Sequence, residues 1–112
     1  MHDKSVVALL SQLMQSGPIR ATDLADRVGL DLSTISRHLR SLEGDGHVAR
    51  KPDPDDGRAT LLAITRSGQR VVRQAREQRT AMLAEALDDW SDADRTELIR
   101  LTRRLADSLE TA

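Results

Sequence analysis

Apolar residues recur at helical spacing over most of the chain. Val6, Leu9, Leu10, Leu13 and Met14 lie three and four positions apart, the stripe of an amphipathic helix, and Gly17-Pro18 ends it. Ile19-Arg20 leaves room for a very short strand. Thr22 is expected to cap a second helix with Leu24, Ala25 and Val28 inward, and Gly29 to stop it. Asp31 is expected to cap a third, with Leu32, Ile35, Leu39 and Leu42 inward and Gly44 and Gly46 closing it. The period then changes. Val48-Ala49-Arg50-Lys51 is extended in character, Pro52-Asp53-Pro54-Asp55-Asp56-Gly57 is dense in turn residues, and Leu61, Leu62 and Ile64 mark a returning strand. Residues 48–65 therefore predict a β-hairpin with an acidic tip. Helical spacing returns after Thr65, a third expected cap, in Val71, Val72, Ala75, Met82, Ala86 and Leu87, interrupted by Arg79 and ended by Asp88-Asp89. Ser91 with Asp94 resembles a capping box for a last helix, whose Leu98, Leu101, Leu105 and Leu109 are expected inward.

Three short helices followed by a two-stranded wing describe a winged helix-turn-helix, with two C-terminal helices left over. The expected fold class is mainly α with a small β-hairpin wing. The division is residues 1–65 for the winged part and 66–112 for the helical remainder.

Composition narrows the chemistry. A chain of 112 residues fits one domain. It has no Cys, so disulfides, thiolate zinc sites and thiol redox sensing are excluded. His2, His38 and His47 are scattered, no cofactor or metal is expected, and no catalytic His/Asp/Ser cluster or glycine-rich phosphate loop is visible; an enzyme is not expected. Trp90 is the one aromatic, too few rings for a single-strand stacking platform. No apolar run is long enough to span a bilayer and no export signal is visible, so a cytoplasmic protein is expected. Net charge is −1, which argues against non-specific coating of nucleic acid but says nothing of a local basic face. All basic residues except Lys4 and Lys51 are Arg, the side chain suited to phosphate and base-edge recognition; an Arg-biased genome gives the same count.

The third helix holds that basic face. At about 100° per residue, Arg37 lies opposite the apolar stripe, flanked by Ser33, Thr34, Arg40 and Ser41, with Ser36 on the edge of the face. No acidic residue interrupts it between Ser33 and Ser41. An apolar side that anchors and a polar side that enters the major groove are what a recognition helix needs. The Arg fork matches the acceptor pair of guanine, and hydroxyls serve bases or phosphates. Arg50 and Lys51, leading into the wing, are candidate phosphate contacts, as are the amides behind Thr22; Arg20 is a lesser one. Asp53 and Asp55 read as turn and solubility residues, and their charge near phosphates is a cost with no local explanation. Glu43 reads as a solvated residue or a local ion-pair partner. The same face would also suit an acidic protein, so a winged-helix interaction module without specific DNA binding is the rival reading.

Several fragments then fall into a known order. Gly17-Pro18-Ile19, Asp23-Leu24-Ala25, Ser33 to Leu39, Leu42 to Val48, Asp56-Gly57-Arg58 and Ile64 to Gly68 run in a sequence that resembles the multiple antibiotic resistance regulator (MarR) family over most of the chain. The resemblance implies a homodimeric transcriptional regulator, a repressor, on a palindromic double-stranded DNA operator. It implies that Arg58 enters the minor groove, that Asp56 orients it through an ion pair, and that the last two helices dimerise. Many members of that family release DNA on binding a small molecule, so an effector is implied too. One departure stands out. Family members usually carry another helix ahead of the one at Val6 to Met14, and the chain starts too late to include it. Either a short member or a truncated form is expected, with the dimer platform short by that helix.

Overall fold

The computed structural model describes residues 4–111. The elements are α1 (Lys4–Ser16), α2 (Ala21–Val28), α3 (Leu32–Gly44), β1 (Val48–Pro52), β2 (Thr60–Ile64), α4 (Arg66–Ala86) and α5 (Asp92–Glu110). The architecture is the expected winged helix-turn-helix followed by two helices. The chain divides into two compact units, one ending at Glu77 and the next beginning at Gln78, so the division falls inside α4.

In the first unit the core is aliphatic. Leu9, Leu10 and Leu13 of α1, Leu24 and Ala25 of α2, Ile35, Leu39 and Leu42 of α3, Val48 and Leu62 of the hairpin, and Val71 and Val72 of α4 form one buried cluster. Full burial of such a side chain is worth about 1.5–3 kcal/mol, and this set is the main stabilising term for a unit without a disulfide. Leu32, expected inward, is 46% exposed. It is the first residue of α3, and the core-facing stripe begins one turn later at Ile35.

Turns are made by residues suited to them. Gly29 takes a left-handed φ of +72°, and its N–H and that of Leu30 both reach the Ala25 carbonyl, closing α2. Gly46, at φ +79°, turns the chain after α3 so that the His47 N–H bonds the Leu42 carbonyl. Thr22 does not cap α2. Its start follows Arg20, whose backbone is extended and whose side chain makes no capping bond; Thr22 is the second helical residue. The expectation followed hydroxyl preference, whereas the preceding extended residue, Ile19, fixes where the helix begins.

The wing is an antiparallel pair in the register Val48↔Ile64, Ala49↔Ala63, Arg50↔Leu62, Lys51↔Leu61 and Pro52↔Thr60. Ile19 adds a single-residue third strand, exchanging hydrogen bonds with Leu62 at 3.1 and 2.8 Å. The sheet is thereby tied to the segment between α1 and α2. Thr65 caps α4: its hydroxyl accepts from the Gly68 N–H and donates to the Gly46 carbonyl. Gly68 is required by close approach, because a Cβ there would overlap the His47 carbonyl and the Ile64 side chain.

Within the second unit, Ser91 caps α5 by accepting from the Asp94 N–H at 3.1 Å. Arg95 closes the preceding turn, donating to the carbonyls of Leu87 and Asp88. Trp90 sits in that turn, 42% exposed. Leu98, Leu101, Leu105 and Leu109, expected inward, are between 37% and 68% exposed, and no residue of α5 is buried. Periodicity marks the stripe but not its cover, and a unit of two helical segments has no further layer to bury it.

Candidate nucleic-acid interface

α3 displays its polar face because its other face is locked in the core. Leu39 is buried, and Arg37, two residues before it and so about 200° away, is exposed, as are Ser33 and Arg40. Thr34, Ser36 and His38 are half-buried on the flanks. Arg37 and Arg40 take part in none of the ion pairs among the described residues, so both guanidinium forks are available to a ligand.

The start of α3 is organised by Asp31. One carboxylate oxygen accepts from the Ser33 hydroxyl at 2.7 Å and the Thr34 N–H at 2.8 Å, and the other from the Thr34 hydroxyl at 2.9 Å. A carboxylate only accepts, so both hydroxyl protons are committed to it and the outward-facing lone pairs are acceptors. The Ser33 hydroxyl first, then the Thr34 N–H and hydroxyl, lower the Asp31 carboxyl from 3.8 to about 2. A depressed carboxyl stabilises the fold above its unfolded value and loses that contribution on acidification. The start of α3 should therefore loosen as pH falls from 3.8 toward about 2. Asp31→Ala should flatten that window, which thermal melts across the acid range will read. A wild-type melting curve that follows the variant's at every pH would count against the assignment.

The residues leading into the wing separate into paired and free. The Arg50 guanidinium lies 2.8 Å from Glu43 of α3, which ties β1 to the recognition helix and occupies the fork expected to hold a phosphate. Lys51 is exposed and forms no ion pair among the described residues. Thr22 is exposed near the start of α2.

The wing tip departs from expectation. Asp56 accepts from the main-chain N–H of Arg58 at 3.1 Å, and its carboxylate faces Arg20 at 3.8 Å, not the Arg58 guanidinium. The ion pair expected between Asp56 and Arg58 is thus replaced by a turn contact, and Arg58 is exposed at the tip and forms no ion pair among the described residues. Asp53, read as a turn and solubility residue, is the buried charged residue among the described ones at 9% exposure. It accepts from the Arg20 side chain at 2.9 and 3.2 Å and, through its other oxygen, from the Asp55 N–H. The Asp55 N–H first and Arg20 second hold its carboxyl below the usual range. Sequence reading missed this pair because 33 residues separate its members and neither lies in a local motif.

Other chemistry is sparse. Among the described residues no group of three or more His, Asp or Glu could hold a metal ion, and His2 lies outside them. No helix there is long and apolar enough to cross a membrane. An open depression of about 520 Å³ in the second unit is lined by Asp89, Trp90, Ser91, Asp94, Glu97, Leu98 and Leu101.

Comparison with known proteins agrees with this geometry. The MarR family model matches residues 5–60. The HTH-type transcriptional regulator YxaD of Bacillus subtilis is 33% identical over 92% of this chain and 72% of its own length. Other curated relatives are longer still in proportion, the chain spanning as little as 59% of one of them. Among solved structures, the transcriptional regulator Tm0710 of Thermotoga maritima superposes with a TM-score of 0.81 at 28% identity, covering 97% of this chain and 77% of that one. The PcaV transcriptional regulator of Streptomyces coelicolor, solved with its natural ligand, gives 0.68 at 30% identity, covering 96% and 77%.

Proposed function

This chain belongs to the MarR family of transcriptional regulators, proteins that bind DNA through a winged helix-turn-helix and function as dimers, and on that premise we propose that it is a homodimeric repressor of a palindromic operator. The observation that carries the reading is the unpaired cationic set of Arg37, Arg40, Lys51 and Arg58, carried on an anchored helix and a stapled wing. Ser33, Thr34 and Arg37 read base edges in the major groove, with Ser36 at its margin. Because Asp31 takes their protons, Ser33 and Thr34 act as acceptors toward the amino groups of adenine or cytosine. Arg40, Lys51 and the amides behind Thr22 hold phosphates, Arg50 contributes where it leaves Glu43, and Asp56 shapes the turn that presents Arg58. A narrow minor groove concentrates negative potential and attracts that arginine.

Dimerisation buries the exposed leucine stripe of α5, Leu98, Leu101, Leu105 and Leu109. A small-molecule effector that releases DNA is part of the proposal, and the likeness to PcaV, solved with its natural ligand, supports a ligand.

Selection from a random duplex pool at stated salt tests the reading directly. A two-fold symmetric motif with half-sites about 34–36 Å apart, one helical turn, is the expected result. Failure to enrich any sequence would remove specific DNA binding from the proposal. Within the same assay, Lys51→Ala should weaken all duplexes alike and lower the slope of log affinity against log salt by about one. A Lys51→Ala effect confined to particular sequences would reassign it from phosphate to base contact.

A further inference from the structure

Arg20 lies at the N-terminus of α2, a position suited to a phosphate contact, yet its side chain turns to the wing. Its Nε and one terminal nitrogen both donate to a single Asp53 oxygen at 3.2 and 2.9 Å, and the same terminal nitrogen lies 3.8 Å from Asp56. Asp53 is nearly covered while the Arg20 side chain stays 45% exposed, so the carboxylate end of the pair is out of water and the two hydrogen bonds to one oxygen fix its geometry. Its other oxygen accepts from the Asp55 N–H, and its own N–H donates to the Ala59 carbonyl across the mouth of the turn. Asp56 continues the chain of contacts to the Arg58 N–H. One cation therefore touches both carboxylates that shape the tip, and a short path leads from α2 through Asp53 and Asp56 to Arg58. The same cation lies against two of the three acidic residues of the tip, Asp53 and Asp56 but not Asp55, and its single positive charge offsets one of the three negative charges that would otherwise face phosphates.

We infer that Arg20 is a positioning residue for DNA recognition: through Asp53 and Asp56 it holds the wing so that Arg58 meets the minor groove, and it does not itself hold a phosphate. This rests on the DNA-binding reading above. Arg20 reduces the negative charge of the tip and orients it from the helix-turn-helix, so wing and recognition helix approach DNA as one face.

A double-mutant cycle separates positioning from phosphate contact. The duplex selected by the wild-type protein is titrated with wild type, Arg20→Ala, Arg58→Ala and the double variant. Arg20→Ala should weaken binding roughly tenfold in the wild-type background and by less than about twofold once Arg58 is gone. Discrimination between A·T and G·C pairs under the wing should be lost, while base preference under α3 is retained. A phosphate contact would instead give additive losses and a salt slope lower by about one in both backgrounds, and that result would overturn the inference. Asp53→Asn supplies the second arm, keeping an acceptor for the Asp55 N–H while removing the ion pair. Deleting a negative charge near DNA strengthens binding if charge alone matters. Positioning requires the opposite, a weakening with the same loss of wing discrimination. Urea melts of each variant establish that folded protein is being titrated, and a loss of discrimination equal under wing and α3 would mark a general structural effect and defeat the inference. If the wild type selects no duplex, the DNA-binding reading itself has failed; if it selects one and the cycle is additive, only the role of Arg20 has.

Discussion

Leu39→Ala should lower the stability of the winged unit by about 2–5 kcal/mol, the loss expected for truncating a fully buried leucine. Leu39 is 1% exposed and packs in the cluster that joins α1, α2, α3, the hairpin and the start of α4. Its removal forfeits the transfer energy of the side chain and leaves a cavity whose walls belong to several elements, so collapse around it is limited. The unit has no disulfide to compensate. Against a typical total of about 5–15 kcal/mol for a domain, a loss of this size leaves a substantial unfolded fraction on modest warming. Urea denaturation will measure it. The loss should also appear in DNA binding, because a helix without its anchor cannot hold Arg37 at a fixed height in the groove. A change below about 1 kcal/mol would show that Leu39 is not the anchor its burial indicates.

Arg37→Ala should cost about 1–3 kcal/mol of operator affinity with little change in stability. Arg37 is exposed, makes no ion pair among the described residues, and stands opposite the buried stripe, so its truncation removes nothing from the core. A bidentate guanidinium on guanine explains both the size of the loss and its character: affinity falls and preference at one base pair relaxes. Titrating the selected duplex and versions substituted at each position will distinguish this from phosphate loss, which weakens every duplex in proportion. Affinity and base preference both unchanged would remove α3 as the reading element. Leu39 and Arg37 thus make a matched pair. One substitution damages the scaffold and through it the contact; the other damages the contact alone.

Most of the reading head was legible in the sequence because its determinants are local. The caps at Asp31, Thr65 and Ser91 were identified from one side chain and its following residues, and the hairpin from a turn-dense stretch between extended ones. The outward position of Arg37 followed from helical geometry. What escaped was set by contacts distant in sequence. Thr22 was credited with a cap that the strand residue Ile19 had already displaced by fixing the chain at Arg20. Asp53 reads, together with Asp55, as a turn and solubility residue, because its partner lies far off in sequence near the start of α2. Asp56 was expected to pair with Arg58 by resemblance, and here the shared carboxylate partner is Arg20. The leucines of α5 are legible as an apolar stripe, expected inward and as part of a dimer interface, and within the single chain they stay exposed. A periodic pattern records that a surface is apolar; what lies against it depends on molecules the pattern does not encode.

The solitary indole in the turn before α5 gives the molecule a built-in optical label. With no tyrosine or phenylalanine in the chain, Trp90 alone supplies near-ultraviolet absorption and emission. The unit that ends at Glu77 is dark, and every photon reports on the unit that begins at Gln78. An emission change on adding operator duplex therefore reports on the surroundings of Trp90, in the unit that begins at Gln78. Silence on binding would show that the surroundings of Trp90 are the same in the free and the bound protein. An untagged, unlabelled protein can thus report on its second unit while the first one binds DNA.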